Sequence, residues 1–237
     1  MNTNLYRVIT GTLAVSLLSL TFVAPSVAQK KSRLQDATKR SGEAAQTFTE
    51  IMNVKDKAIP QELLDKAEAI AVFPGVIKAA FIVGGRGGKG VISRRVKRGW
   101  TAPAFFNLGG GSFGAQIGAQ KNDYIFLIMN QDGVKGLLED KFELGGEAGV
   151  VAGPVGREIA ASTNPTLDAG ILSYSRSKGA FIGAALKGVV ITPDNDLNEA
   201  VYGKKAKDIL LSAPIPLAEM PAGVRIVPRT LARYSVN

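Results

Sequence analysis

The chain has 237 residues, a net charge of +9, 46% hydrophobic and 21% charged residues, and neither cysteine nor histidine. That apolar fraction sustains a buried core and excludes global disorder, and the length fits one domain most simply. The missing cysteine and histidine exclude disulfides, Cys/His zinc or iron sites, thiol nucleophiles and every His-based acid–base scheme, while the positive balance points to an anionic partner, against the plainer reading that it serves solubility.

Residues 1–28 read as a signal peptide. Arg7 gives a positive start, Val8 to Val23 an apolar stretch, and Ser26-Val27-Ala28 small residues at −3 and −1. An uncleaved anchor is the competing reading, but the stretch is short, rich in Thr and Ser, and ends at Pro25. Cleavage after Ala28 is expected, with a secreted or periplasmic product that is not a lipoprotein, because no cysteine can carry the lipid. From residue 29 to 54, Leu34, Ala37, Ser41, Ala44, Ala45, Phe48, Ile51 and Met52 recur at helical spacing, with Lys30, Lys31, Arg33, Lys39 and Arg40 opposite. Such a stripe packs on the protein's own core more often than on a membrane interface, though both roles can coexist.

Residues 55–237 carry the rest of the domain. Pro60 opens a second helix whose stripe is Leu63, Leu64, Ala67, Ile70 and Ala71, closed by Phe73-Pro74-Gly75. Ala79 to Val83 reads as a buried strand, Gly84 to Gly88 as a turn, and Gly90 to Val96 as the returning strand. Ala115 to Gly118, Tyr124 to Met129, Ala148 to Val151, Ala169 to Tyr174 and Ala180 to Val190 are further strands. Asn130 caps a short helix through Leu138, Asp194 another, and Ala206 to Leu211 forms a third. The tail with Pro214, Pro216, Pro221 and Pro228 is expected to be extended over the surface. The fold class is α+β: a glycine-rich antiparallel β core with two N-terminal helices and short C-terminal helices.

Ala79 to Gly118 concentrates glycine and positive charge. Glycine at that density means close backbone approach, tight turns or bulges. Arg86, Lys89, Arg94, Arg95, Lys97 and Arg98 follow one another without an acidic residue, and Trp100 stands just beyond them. Gly109 to Gly114 satisfies G-x-G-x-x-G, but the continuation Ala115 to Gln120 is strand-like, so a dinucleotide site lacks its helix. A phosphate loop at Gly84 to Gly90 fails because Gly90 follows Lys89 where Ser or Thr belongs. Asp194, Asp196 and Asn198 have the spacing of a calcium loop, yet Glu199 and Lys205 occupy its glycine and glutamate positions, and capping explains them more simply. Scattered carboxylates select no acid pair, and without histidine no triad is possible, so no catalytic residue is assigned and no enzyme or cofactor is expected.

The segments Ile59 to Leu64, Ala69 to Pro74, FIVGGRGGKGVISRR, GWTAPAFFNLGGGSFGAQIG, Val150 to Arg157 and Tyr174 to Gly188, in that order, closely resemble the SYLF domain family. The resemblance runs from about Lys55 to Gly203. It implies phosphoinositide-type lipid binding, known for eukaryotic members associated with membranes and the actin cytoskeleton, whereas bacterial members are mostly envelope or secreted proteins. Because the chain begins with a signal peptide and shows no SH3 domain, the actin role is not carried over, and the headgroup stays open between phosphoinositides and bacterial anionic lipids. The expected function is an exported, non-catalytic, peripheral binder of anionic phospholipid. Arg86, Lys89, Arg94, Arg95, Lys97, Arg98, Arg176 and Lys178 are the candidate lipid-binding residues. Trp100, with Phe105 and Phe106 nearby, is a candidate membrane contact, against the commoner role of core filler. The runner-up is a structural or scaffolding envelope protein that meets a protein or polysaccharide. A hydrolase built on carboxylates ranks below it, and nucleic acid is the weakest partner, since export removes the usual target.

Overall fold

Apolar runs cut by glycine, from Ala69 onward, assemble into one large sheet. The computed structural model describes residues 24–54, 58–80, 83–113, 118–139, 141–145, 149–155, 169–177, 180–184, 186 and 188–235. The strands are β1 Ala69–Ala80, β2 Val83–Val96, β3 Gly99–Trp100, β4 Ala104–Phe113, β5 Gly118–Ile128, β6 Phe142–Leu144, β7 Val150–Ala152, β8 Ile171–Ser177, β9 Ala180–Gly183 and β10 Val189–Pro193. The helices are α1 Ala24–Met52, α2 Gln61–Lys66, α3 Gln131–Gly136, α4 Asn195–Tyr202, α5 Ala206–Leu211 and α6 Ile226–Tyr234. The order across the sheet is β6-β10-β4-β2-β1-β5-β8-β7, with β3 on β2 and β9 on β8. Among these pairings only β7 with β8 is parallel. This is the expected α+β class.

The central strands differ from the sequence reading. Ile70 and Ala71 belong to β1, not to the second helix, which stops at Lys66 with Ala67 already extended. β1 is hydrogen-bonded to β2 on one side and β5 on the other, so an apolar run buried on both faces wins over its helical spacing. Pro74-Gly75 does not close a helix either. It makes a bulge, where the β1–β5 register shifts between Phe73 and Val76, with Gly75 at φ +59° and its N–H donated to the Asp123 carboxylate at 2.7 Å. Gly84 to Gly88 lies inside β2, paired with β4 throughout and with β1 as far as Gly87, and is not a turn. At the inner end of this stretch the reason is close approach: a Cβ on Gly88 would stand 2.6 Å from the Val76 side chain, and one on the following Gly90 2.4 Å from both the Phe73 ring and the Val72 carbonyl oxygen.

Other expectations hold. Gly109 to Phe113 completes β4 and Gly118 opens β5, while residues 115–117 of the expected strand Ala115 to Gly118 lie outside the described residues. Asn130 accepts from the Gly133 N–H at 2.8 Å, and Asp194 accepts from the Leu197 N–H at 3.2 Å, so both cap short helices. The stretch from Ala180 to Val190 splits into β9 and the start of β10. The proline-rich tail is not extended throughout. Ala222–Val224 forms a 3-10 turn and α6 follows, with Pro228 among the first N–H positions that lack an intrahelical partner anyway.

α1 lies across one face of the sheet and buries Ala37, Ser41, Ala44, Ala45, Phe48 and Ile51, so the stripe packs on the core. Arg40 is not on the solvent side. It is buried, donating to Asp36 at 2.7 Å and to Asp194, the cap of α4, at 2.9 Å. The opposite face of β1 and β5 carries Phe73, Tyr124 and Phe126, whose rings pair at 5.8 and 6.4 Å. No helix among the described residues is long and apolar enough to cross a membrane.

Candidate functional site

The long strand β2 separates the cations that lie close together in sequence. Side chains alternate between faces along a strand, at about 3.3 Å per residue, so Arg86 and Val96 stand about 33 Å apart. The seven candidate cations among the described residues therefore do not form one patch. They divide into the glycine-rich end of the sheet, the β2–β3 turn at the other end, and structural positions between.

At the glycine-rich end, Arg86 lies opposite Lys78 of β1, which lies opposite Gln120 of β5, while Gly110 flanks Arg86 on β4. That row has no carboxylate. The Nε of Arg86 is buried and has no hydrogen-bond partner among the described residues. On the other face Ile77 lies between Lys121 and Gly87, and Gly109 follows on β4. Because Gly87 and Gly109 project nothing, Ile77 is 57% exposed. Lys89 is exposed, and its ammonium is 3.8 Å from Asp36. Burial opposes ionisation of Asp36, but the hydrogen bond and charge of Arg40, with Lys89 and Arg33 beyond, hold its carboxyl below the ordinary range.

Arg95 and Arg176 are structural. Arg95 donates to the carbonyls of Leu64 and Ala67 at the end of α2 and stacks 4.5 Å from the Trp100 ring centre. Burial lowers its pKa, with Asp65 and Glu68 opposing. Arg176 bridges Asp123 at 2.7 Å and Glu50 of α1 at 2.6 Å. Burial pulls its pKa down, yet those two acids raise it overall. The Gln46 amide and Arg176 in turn hold the Glu50 carboxyl below its ordinary value. The cleft beside them, 670 Å³ in volume, mixes Glu43, Glu50 and Asp123 with Lys121 and Arg176 and favours neither sign of ligand. Arg94 is half-buried, with its Nε unpartnered among the described residues. Lys178 lies outside the described residues.

Trp100 is no membrane contact. It is 6% exposed and donates its indole N–H to Ser235 at 2.9 Å. Phe105 and Phe106 are fully buried as well. Burial follows from pairing: Trp100 sits opposite Arg95, under α6.

Lys97 and Arg98 are exposed at the β2–β3 turn. They line a groove of 450 Å³, whose other walls come from residues 214–217, Met220 and α6. Sequence reasoning missed three residues that the fold adds: Lys78 and Lys121 at the glycine-rich end, and Arg229 in the groove. Only strand register and helix docking bring them in, and neither leaves a local signal. No cluster of metal-ligating side chains occurs among the described residues.

Comparison with known proteins places this architecture. The family described as Ysc84, Las17-binding protein actin regulator, matches residues 109–234. LAS seventeen-binding protein 3 of Saccharomyces cerevisiae is 35% identical over 176 residues, covering 72% of this chain and 38% of its own length. Protein YSC84 of the same yeast is 34% identical, over 72% of this chain and 37% of its own. SH3 domain-containing YSC84-like protein 1 of Homo sapiens is 31% identical over 185 residues, 76% of this chain and 54% of its own. The chain thus spans between about a third and a half of the length of these relatives. Since the family match covers more than half of the sequence, the chain belongs to the Ysc84, or SYLF, family.

Proposed function

We propose that the protein is an exported, non-catalytic, peripheral binder of anionic phospholipid, and that it meets the bilayer with the glycine-rich end of β1, β2, β4 and β5. The observation that carries this reading is the carboxylate-free row of Lys78 and Arg86, with Ile77, exposed at 57%, on the reverse face beside Lys121 at the edge of the mixed-sign cleft. The half-buried Arg86 guanidinium suits a phosphate oxygen, which accepts charge-assisted hydrogen bonds. Each Lys or Arg near an anionic surface contributes about 1 kcal/mol, and partial burial of one Ile side chain adds about 1 kcal/mol. Attachment of that size is reversible and salt-sensitive.

Sedimentation with vesicles of rising phosphatidylglycerol content tests it. Binding should rise with anionic lipid and fall with salt. It should be lost in Lys78→Gln/Arg86→Gln/Lys121→Gln and kept in Lys97→Gln/Arg98→Gln. Equal binding by both variants would sink the assignment to this end, and no binding at any composition would sink the lipid reading. The second reading is a scaffolding protein with a protein partner, supported by relatives whose names state binding to another protein. Saturable capture of a protein without vesicle binding would favour it.

A further inference from the structure

The groove beside Trp100 has a chemistry of its own. Ile215, Leu217, Met220 and Pro228 give it apolar walls, and Leu217 is 38% exposed, so hydrocarbon surface lies uncovered there. Three cations, Lys97, Arg98 and Arg229, also line it, with no carboxylate among the lining residues. Its volume of 450 Å³ falls within the ordinary range for small-molecule sites. The walls offer little to a peptide backbone. Pro214, Pro216 and Pro228 have no N–H, and the Trp100 N–H is already given to Ser235. A ligand that needs apolar contact along its length and carries negative charge at one end fits better than one that needs a ladder of hydrogen bonds.

We propose that this groove binds a single-chain anionic amphiphile, a long-chain carboxylate, with the hydrocarbon against Ile215, Leu217 and Met220 and the carboxylate between Lys97, Arg98 and Arg229. The site is separate from the glycine-rich end and does not depend on membrane attachment there.

Trp100 is the only tryptophan of the chain and lines the groove, so its emission reports occupancy directly. The full chain is titrated with dodecanoate below its micelle concentration, and heat release is measured in parallel. A saturable change in Trp100 emission is expected. Arg98→Gln/Arg229→Gln should weaken it by about tenfold or more, the loss that goes with one or two charge-assisted hydrogen bonds. Leu217→Asp should abolish it with the circular dichroism spectrum unchanged. Lys78→Gln/Arg86→Gln, which targets vesicle binding, should leave it intact, so the two readings fail separately. Equal binding of dodecyltrimethylammonium, no saturable response, or indifference to both groove variants would overturn the proposal. So would a Leu217-dependent dimer in sedimentation, or preference for an acidic peptide over dodecanoate.

Discussion

Arg95 shows how a cation in a basic run is spent on structure. Its guanidinium donates to the Leu64 carbonyl, shared with the Ala67 N–H, and to the Ala67 carbonyl just past the end of α2, and it covers the Trp100 ring. Those carbonyls lie in the connection from α2 to β1, so losing the bonds to them loosens that joint. Arg95→Gln should lower the free energy of unfolding by about 2 kcal/mol, the range for hydrogen bonds from a charged donor, as read from urea denaturation. Lys97→Gln, exposed two residues away, should change it by less than about 0.5 kcal/mol. Similar losses in both would mean that Arg95 is as dispensable as a surface charge. Nothing in the run Arg94 to Arg98 distinguishes these residues in sequence, because the distinction comes from Leu64 and Ala67 folding beneath one of them. The Arg40 guanidinium is a second instance: helical spacing puts it on the polar side, and the two carboxylates of Asp36 and Asp194 draw it inward.

Helix α1 is held on the sheet by apolar packing and by its carboxylates at two points along it, Asp36 with Lys89 of β2 and Glu50 with Arg176 of β8, while Arg40, paired with Asp36 within the helix, ties it to Asp194. Both carboxyls titrate below their ordinary values of 3.8 and 4.5 in the folded chain. A carboxyl with a lowered folded pKa adds stability above its unfolded pKa and loses it as pH falls through the folded value. The melting temperature should therefore hold steady down to about pH 5 and drop below it. Asp36→Asn should be less stable at neutral pH and should meet the wild-type curve only at a pH below the ordinary aspartate value, once Asp36 itself is protonated. Parallel curves down to that pH would remove Asp36 from the account. The helix itself was legible in sequence, since its stripe from Ala37 to Ile51 is long and regular. The glycine-rich strand was legible as β structure but not in its boundaries. Gly84 to Gly90 looks like a turn to any local rule, whereas here Gly88 and Gly90 make room for Val76 and Phe73 of the neighbouring strand. That room is a tertiary demand and has no short-range signature. In the same way Ile70 and Ala71 keep helical spacing with Leu63 and Ala67, and only the partners β2 and β5 settle them as strand.

At the scale of the whole molecule, β2 holds two basic regions at opposite ends of one sheet. A reader of the sequence sees six cations within thirteen residues and takes them for one surface. The pleat distributes them over two faces and about 33 Å. Membrane attachment at the glycine-rich end would then hold the groove away from the bilayer, open to a ligand in solution. Ile77 stands opposite Gly87 and Trp100 opposite Arg95, so the two are separated by about eight strand residues, or about 26 Å. This fixes an orientation that fluorescence can read. With vesicles containing brominated acyl chains, which quench only an indole in contact with the hydrocarbon, wild-type Trp100 emission should be unchanged on binding. Ile77→Trp keeps Trp100 and adds an indole at the exposed position, where side-chain bulk meets only glycine neighbours on β2 and β4. The added emission should shift to the blue and be quenched, because an indole at the headgroup level buries its ring and keeps its N–H wet. Quenching of Trp100 in the wild type, with none of the new indole, would mean that the molecule lies the other way round. The groove would then face the bilayer, and its long-chain ligand would be a lipid drawn directly from it.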